Sequence, residues 1–360
     1  KDNIWINTGE IPNNGKDDDN NGYIDDVNGW NFLGESNNEQ LEYVRLVASG
    51  DTSNPRFAEA EALLAKERGS TSRLKEQYDG IIGQLNTSDA AVADYLKKTD
   101  YTKEDVEGIT TTDKTLLRHV SVIKQSYGFG FESIAAMKKD LNRGLKTFNE
   151  RLDYNLYVDF DGRSVVGDNP NDLNDRDYGN GDVRAKNGRT HGTHVSGIIA
   201  AKRNNGIGMN GVANNVKIMA IRNTPNGDEY DKDVALGVYY AVDNGAKIIN
   251  MSFGKSFSPH SDWVRDAIAY AAKKDVLIVA GSGNDGQNND QINSFPNDQI
   301  NNGPEVSDNF VSVGSSEPKY GSTLAASYSN YGKNTVDVFA PGSQIYSTYP
   351  KNSYEFASGT

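Results

Sequence analysis

The stretch from residue 155 to 360 constrains the fold more than any other part of this chain. Its apolar residues come in short runs: VKIMAIRN (216–223), AKIINMSFG (246–254), DVLIVAGSG (275–283), FVSVGSS (310–316) and TVDVFAPG (335–342). The runs are rich in Val and Ile, and most are closed by Gly or Ser. Between and before them lie HGTHVSGIIAAKRN, DVALGVYYAVDNGA and SDWVRDAIAYAAKKD, whose apolar residues have helical spacing. A strand covered on both faces reads as a continuous apolar run, and parallel strands need a crossover, usually a helix. The pattern therefore predicts an α/β fold, a doubly wound parallel sheet over 151–360. Its functional groups are expected at the carboxyl ends of strands.

Two other zones precede this one. Residues 1–36 carry Gly, Asn, Asp and Pro throughout and read as turns. Residues 37–150 read as an all-helical insertion. Leu63, Leu64, Leu74, Tyr78, Ile81 and Ile82 have helical spacing. Ser88 or Asp89 is placed to cap a helix over AAVADYLKK, and Thr102, with an acid three residues on, another. No fixed-period repeat and no catalytic constellation occurs there. The formal charge of −13 argues against nucleic acid or an anionic membrane as partner. No apolar run is long enough to span a bilayer. With no cysteine, thiolate metal sites and thiol nucleophiles are excluded. A start at Lys1 without an initiator Met reads as a trimmed chain.

Four histidines exist: His119, His191, His194 and His260. In RTHGTHVSGIIAA a helix starting near Gly192 puts His191 at its amino end. There the helix dipole disfavours the imidazolium and keeps the ring competent as a general base. His194 falls on the face turned to the sheet and reads as a core residue. The HxxH spacing also permits a zinc pair, but it lacks the glutamate of HExxH and a third ligand. In VAGSGNDG (279–286) a strand ends in small residues and Asn284 stands on a Gly-flanked turn. Its carboxamide could donate to a developing oxyanion, or it could simply make the turn.

The acidic stretch KDDDNNGYIDD, Lys16 to Asp26, has oxygen donors at alternate positions: Asp17, Asp19, Asn21, the carbonyl of Tyr23, and Asp25. Gly22 is sixth, where the calcium loop of an EF-hand turns sharply. Position twelve is Asn28 instead of Glu, so a bidentate ligand would have to come from elsewhere, such as Asp26. Structural calcium is the expectation here. The second acidic loop, 158–182, is open between a polar approach to the His191 helix and a second ion.

HGTHVSGIIAA, NMSFG (250–254), AGSGNDG, APGSQI and the closing ASGT, in that order, resemble the subtilisin-like serine proteases (subtilases) over about 155–360 and the first 36 residues. The resemblance implies a subtilisin-like core and peptide-bond hydrolysis by an Asp/His/Ser triad, with a polypeptide substrate. It makes His191 the catalytic base and Asn284 the oxyanion donor. It makes Ser252, Phe253 and Gly254 the strand that pairs with substrate backbone, opposite Ala280, Gly281 and Ser282 of the first specificity pocket. It adds weight to calcium and implies a secreted, cell-surface or periplasmic bacterial protein. Gly359-Thr360 matches the opening of the family's GTSMAAP motif, so the nucleophile would come next; Ser358 lies on the wrong side of the pair. The strand bearing the family's Asp would precede Lys1. The chain as given is therefore expected to be nearly inert, with a vacant slot in its sheet closed by another chain or a flanking segment. The alternative is a non-catalytic peptide-binding or structural module on the same fold.

Overall fold

The computed structural model describes residues 2–184, 189–301 and 303–360. The chain divides into two compact units, one of residues 1–42 with 161–360, the other of residues 43–160. These boundaries lie later than 36 and 150 because the flanking segments belong elsewhere. Residues 37–40 hydrogen-bond to 226–228, with Glu39 N to Asn226 O at 2.9 Å and Asn226 N to Asn37 O at 2.9 Å. At the far end a π-turn over Arg151–Asn155 prolongs the last helix of the insertion.

The unit of residues 43–160 is helical. It carries α1 (Glu42–Ser49, which begins one residue earlier), α2 (Phe57–Leu96), α3 (Lys103–Glu107), α4 (Lys114–Gly128) and α5 (Ile134–Glu150). Helix α2 runs 40 residues without a break at 88–89. The two residues read as caps have tertiary partners instead. Ser88 Oγ lies 3.1 Å from His119 Nδ1, and Asp89 accepts from Tyr101 Oη and Lys138 Nζ at 2.6 Å each. Thr102 does cap α3, in a reciprocal box with Asp105. Asp113 caps α4 by accepting from Thr115 N and Leu116 N, and Ser133 caps α5 by accepting from Ala136 N. Leu85, Val92, Val106, Val120 and Ile123 are the centre of this unit's own core.

The other unit is α/β. Its elements are β1 (Gly29–Asn31), α6 (His191–Ala200), β2 (Ala220–Arg222), α7 (Asp231–Asp243), β3 (Ile248–Met251), α8 (Ser261–Lys273), β4 (Leu277–Gly281), β5 (Phe310–Ser316), β6 (Val338–Pro341), β7 (Ile345–Tyr349) and β8 (Ser353–Ala357). Strands β3-β4-β5-β6 form one parallel sheet in sequence order. Each of the five Val- and Ile-rich runs supplies a strand, and α7 and α8 lie between the first three of them, so the fold is α/β with parallel sheets. Strand β2 pairs with β1, however, and not with β3. Helix α7 packs across both: Val234, Ala235 and Val238 share a core with Ile249, Met251 and Ile278, and Met219 and Ile221 pack against it. Among the described residues no strand pairs with the outer edge of β3, and Ile248 on that strand is 64% exposed. The antiparallel β7–β8 hairpin had no counterpart in the sequence reading.

The second acidic loop is tied down by cations of the chain itself. Arg163 is buried and bonds Asp168 through Nε at 2.7 Å and Asp233 through Nη1 at 2.6 Å. Lys232, buried on α7, reaches Asp168 at 2.6 Å, and Tyr178 Oη donates to Asp233 at 2.6 Å. Burial works to raise the Asp168 pKa, but hydrogen bonds from Arg163 and Lys232 outweigh it and hold the carboxyl below its ordinary 3.8.

Candidate active site

Strand β4 ends at Gly281, and the chain turns through Ser282 and Gly283 to Asn284. Gly283 has φ +108°, and a Cβ there would collide with the Asn330 carboxamide, so only glycine serves. Asn330 wires the turn. Its Nδ2 donates to Ser282 O at 3.0 Å, and its Oδ1 accepts from Asp285 N at 2.9 Å and Gln287 N at 3.0 Å. Its own N–H donates to Gly283 O at 2.8 Å. Sequence reasoning missed Asn330, because nothing local in SYSNYG signals a partner some 46 residues upstream. The turn is a preorganised one, in which backbone and side-chain dipoles are already committed.

The last residues of the chain sit on this turn. Thr360 N donates to Asn284 Oδ1 at 3.0 Å, and Gly283 N donates to Thr360 Oγ1 at 3.2 Å. Gly359 N donates to Gly342 O at 3.0 Å, within the APGSQI segment. Ser358 Oγ accepts from Gln344 N at 2.9 Å, so that hydroxyl is engaged in holding the hairpin end.

The same hairpin holds helix α6. Ser347 Oγ donates to His194 O at 2.7 Å, and Thr348 Oγ1 donates to Thr193 O at 2.8 Å. His194 is buried, and its Nε2 lies 3.1 Å from Ile345 O and 3.2 Å from Glu355 O. Two carbonyl acceptors fix Nε2 as the protonated nitrogen. His194 is thus a structural residue facing the hairpin, and its Nε2 has no lone pair for a metal. Gly197, one turn on, lies where a Cβ would strike Ser347 and Thr348, so helix and hairpin approach closely. His191 begins the helix with much of its ring exposed. The protein mass at its base, and then the neighbouring His194, lower its pKa from 6.5, which keeps the ring neutral at pH 7.

Ser252, Phe253 and Gly254 follow β3, and Lys255 beyond them forms a two-way backbone bridge with Phe295, both bonds at 2.9 Å. A Cβ on Gly254 would press on Phe295 O. Gly281 and Ser282 border a cavity, but Ala280 does not: it is 2% exposed and belongs to the core shared with α7 and α8. By the two-residue period of a strand, Gly281 and Ala280 face opposite sides.

The acidic N-terminal loop also gathers differently from the EF-hand reading. Glu10, Asp19 and Asp26 bring carboxylate oxygens within 4.8 Å of one another. Of the three predicted carboxylate ligands, Asp17, Asp19 and Asp25, only Asp19 is in that set. Asp17 accepts from Asn21 N and Gly22 N, and Asp25 from Asn14 N and Gly15 N, so both close turns. Asn21 donates to Asp26 Oδ2 at 3.0 Å, and the ring of Tyr23 packs on Trp30, Phe32 and Tyr240. Asn7 donates to Asp19 and Asp26 at 2.9 and 2.8 Å, and Tyr240 Oη to Asp26 at 2.6 Å. The local spacing could not reveal Glu10, which comes from the preceding turn.

The profile of the Subtilase family (Peptidase_S8) matches residues 70–360. A thermophilic serine proteinase of Bacillus sp. (strain AK1) is 37% identical over 210 residues, which are 58% of this chain and 46% of that protein. Thermitase of Thermoactinomyces vulgaris is 38% identical over 185 residues, 51% of this chain and 60% of its own. The chain thus spans about half the length of these relatives. Among solved structures, sphericase aligns with 52% of this chain and 63% of its own at 28% identity, with a TM-score of 0.43.

Proposed function

Because the chain belongs to the subtilase family, we propose that the whole protein is a secreted bacterial serine endopeptidase with His191 as general base and Asn284 as oxyanion donor. The contact from Thr360 N to Asn284 Oδ1 carries this reading, since it delivers the residue after Thr360 to the carboxamide that would meet the oxyanion. In the proposed reaction that residue's hydroxyl oxygen bonds to the scissile carbonyl carbon while His191 takes its proton. Asn284 Nδ2–H donates to the tetrahedral oxyanion, and His191 returns the proton to the leaving amine as the C–N bond breaks. Substrate would lie along Ser252–Gly254 as an added strand. Residues 1–360 alone, with Ser358 Oγ engaged by Gln344 N, are proposed to be inert. The test is a fluorophosphonate probe on the whole protein, with the adduct located by peptide mass spectrometry. An adduct on the residue after Thr360 is expected; labelling elsewhere, or none in a folded sample, would leave a non-catalytic peptide-binding module as the better reading.

The outer edge of β3, which no strand among the described residues pairs with, suits a further parallel strand under α7, from a flanking segment or another chain, carrying the carboxylate that orients His191. Amide exchange along Ile248–Met251 is expected to slow at least tenfold when that strand is supplied; unchanged exchange would sink the idea.

Calcium is proposed for the N-terminal loop. Glu10, Asp19 and Asp26 offer only hard oxygen donors, and Glu10 and Asp26 are buried, with neutral amide or hydroxyl groups as their neighbours. Bound there, a calcium ion would supply positive charge that relieves carboxylate repulsion and fixes the loop. At a thousandfold excess over its Kd it would stabilise the fold by about 4 kcal/mol. Chelation should therefore lower Tm by several degrees in the wild type and not in Asp19→Asn; equal Tm values with and without calcium would refute the site.

A further inference from the structure

Ser252, Phe253 and Gly254 lie between two fixed points. Upstream, Met251 ends β3, is buried and pairs with Ala280. Downstream, Lys255 is 6% exposed, and its backbone makes the two-way bridge to Phe295. Between these points the chain comes to the surface, with Ser252 and Phe253 half-buried and Gly254 exposed. Among the described residues no backbone hydrogen bond falls on Ser252, Phe253 or Gly254. Their peptide groups are therefore open to an added strand, and no ladder of the sheet holds them in place.

The side chain of Lys255 secures the downstream point. An ammonium has three N–H donors. Three oxygens converge on this one: Glu42 Oε2 at 2.7 Å, the Glu229 carbonyl at 2.8 Å and Asp231 Oδ1 at 2.9 Å. Lys255, Glu42 and Asp231 are all buried. Asp231, the first residue of α7, also accepts from Ser258 Oγ at 2.7 Å and from His260 N at 2.9 Å. It thus holds the chain after Gly254 at three places. Glu42 N in turn donates to Asp228 Oδ2 at 2.8 Å. A buried ion pair adds little net stability over apolar packing, because desolvation of both charges offsets their attraction. What this one imposes is geometry. The acceptors define one position for Nζ, and a compact ammonium with rotatable donors fits it where a planar guanidinium would not.

We propose that Lys255 is a positioning residue for peptide binding. Its ammonium, held by Glu42, Asp231 and the Glu229 carbonyl, fixes the backbone of Ser252–Gly254 in the shape to which a substrate strand adds. Without that anchor the three-residue span would be ordered only when substrate binds, and binding would weaken by the cost of ordering it. The proposal rests on the reading of Ser252–Gly254 as the strand that pairs with substrate.

The test compares two chromogenic anilides on the whole protein: an acetylated single residue, and a tetrapeptide ending in the same residue. Only the tetrapeptide is long enough to lie along Ser252–Gly254. The wild type should favour it through KM, and in Lys255→Met this advantage should shrink by about tenfold or more, with the ratio of the two kcat values nearly unchanged. Lys255→Met removes the cation beside the buried Glu42 carboxylate, so the comparison is repeated in Lys255→Met/Glu42→Gln. There no charge is stranded at position 42, and Asp231 keeps its Ser258 and His260 donors; the same loss is expected. An equal fall for both substrates would make Lys255 a packing residue only, and an undiminished advantage would show that the span holds its shape without it; either overturns the proposal. A wild type with no preference for the tetrapeptide would remove the strand reading, and the proposal with it. Hydrolysis of neither substrate would remove the protease reading itself.

Discussion

Replacing His191 with alanine is expected to reduce peptide hydrolysis by the whole protein by on the order of 10⁴-fold or more, with KM nearly unchanged. In the proposed reaction the base acts on the proton of the nucleophile, which moves only as the transition state forms, so its removal would fall on kcat. The ring is exposed at the start of α6, so stability should change by less than about 0.5 kcal/mol. Loss of activity with stability retained separates a catalytic role from a packing one; activity within tenfold of wild type would refute it. In residues 1–360 the imidazole should titrate below 6.5, because desolvation where the residue meets the protein, and then His194, disfavour its charged form. The native state then binds fewer protons than the unfolded chain in the window below 6.5. Stability due to His191 is present above pH 6.5 and is lost as pH falls through the native pKa. NMR titration of the ring reads this directly. A carboxylate supplied beside the ring would stabilise the imidazolium and move the midpoint upward.

Arg163→Ala is expected to destabilise the α/β unit by about 3–5 kcal/mol, the usual cost of stranding a buried charge. Arg163 is the bidentate partner of Asp233, with Nη1 to Oδ2 at 2.6 Å and Nη2 to Oδ1 at 2.8 Å, and Asp233 is fully buried. Without the guanidinium, Asp168 keeps Lys232, but Asp233 keeps only the neutral Tyr178 hydroxyl. Adding Asp233→Asn to Arg163→Ala should recover at least 1 kcal/mol, because the amide carries no charge to strand. Guanidinium denaturation of the three proteins decides the matter. A loss under 1 kcal/mol, or no recovery in the double variant, would show that the cluster is open to water and screened.

The strands, the helices between them, and the two motifs around His191 and Asn284 were legible because they are local. A continuous apolar run closed by Gly, and a Gly-flanked Asn at a strand's end, need no distant partner to be recognised. Helix caps were legible only where the capping side chain had no competitor: Thr102 caps as expected, whereas Ser88 and Asp89 bond to His119, Tyr101 and Lys138 and leave α2 unbroken. Acidic loops were the least legible. Asp17 and Asp25 have the spacing of ligands, yet their oxygens close backbone turns, and Glu10 joins Asp19 and Asp26 from outside the spaced segment. In the second loop Arg163 and Lys232 neutralise acids that spacing alone leaves available to an ion.

The sequence by itself determined the fold class and the membership of the family, since each is carried by periodicity and by contiguous motifs. Tertiary structure alone decided which polar groups meet: Asn330 with the Asn284 turn, the β7–β8 hairpin with the His191 helix, and Asn289 with Ser282 O. Hydrogen bonds and ion pairs act over about 3 Å in space. Their partners here lie from seven to about 150 residues apart along the chain, and one sequence records no such distance.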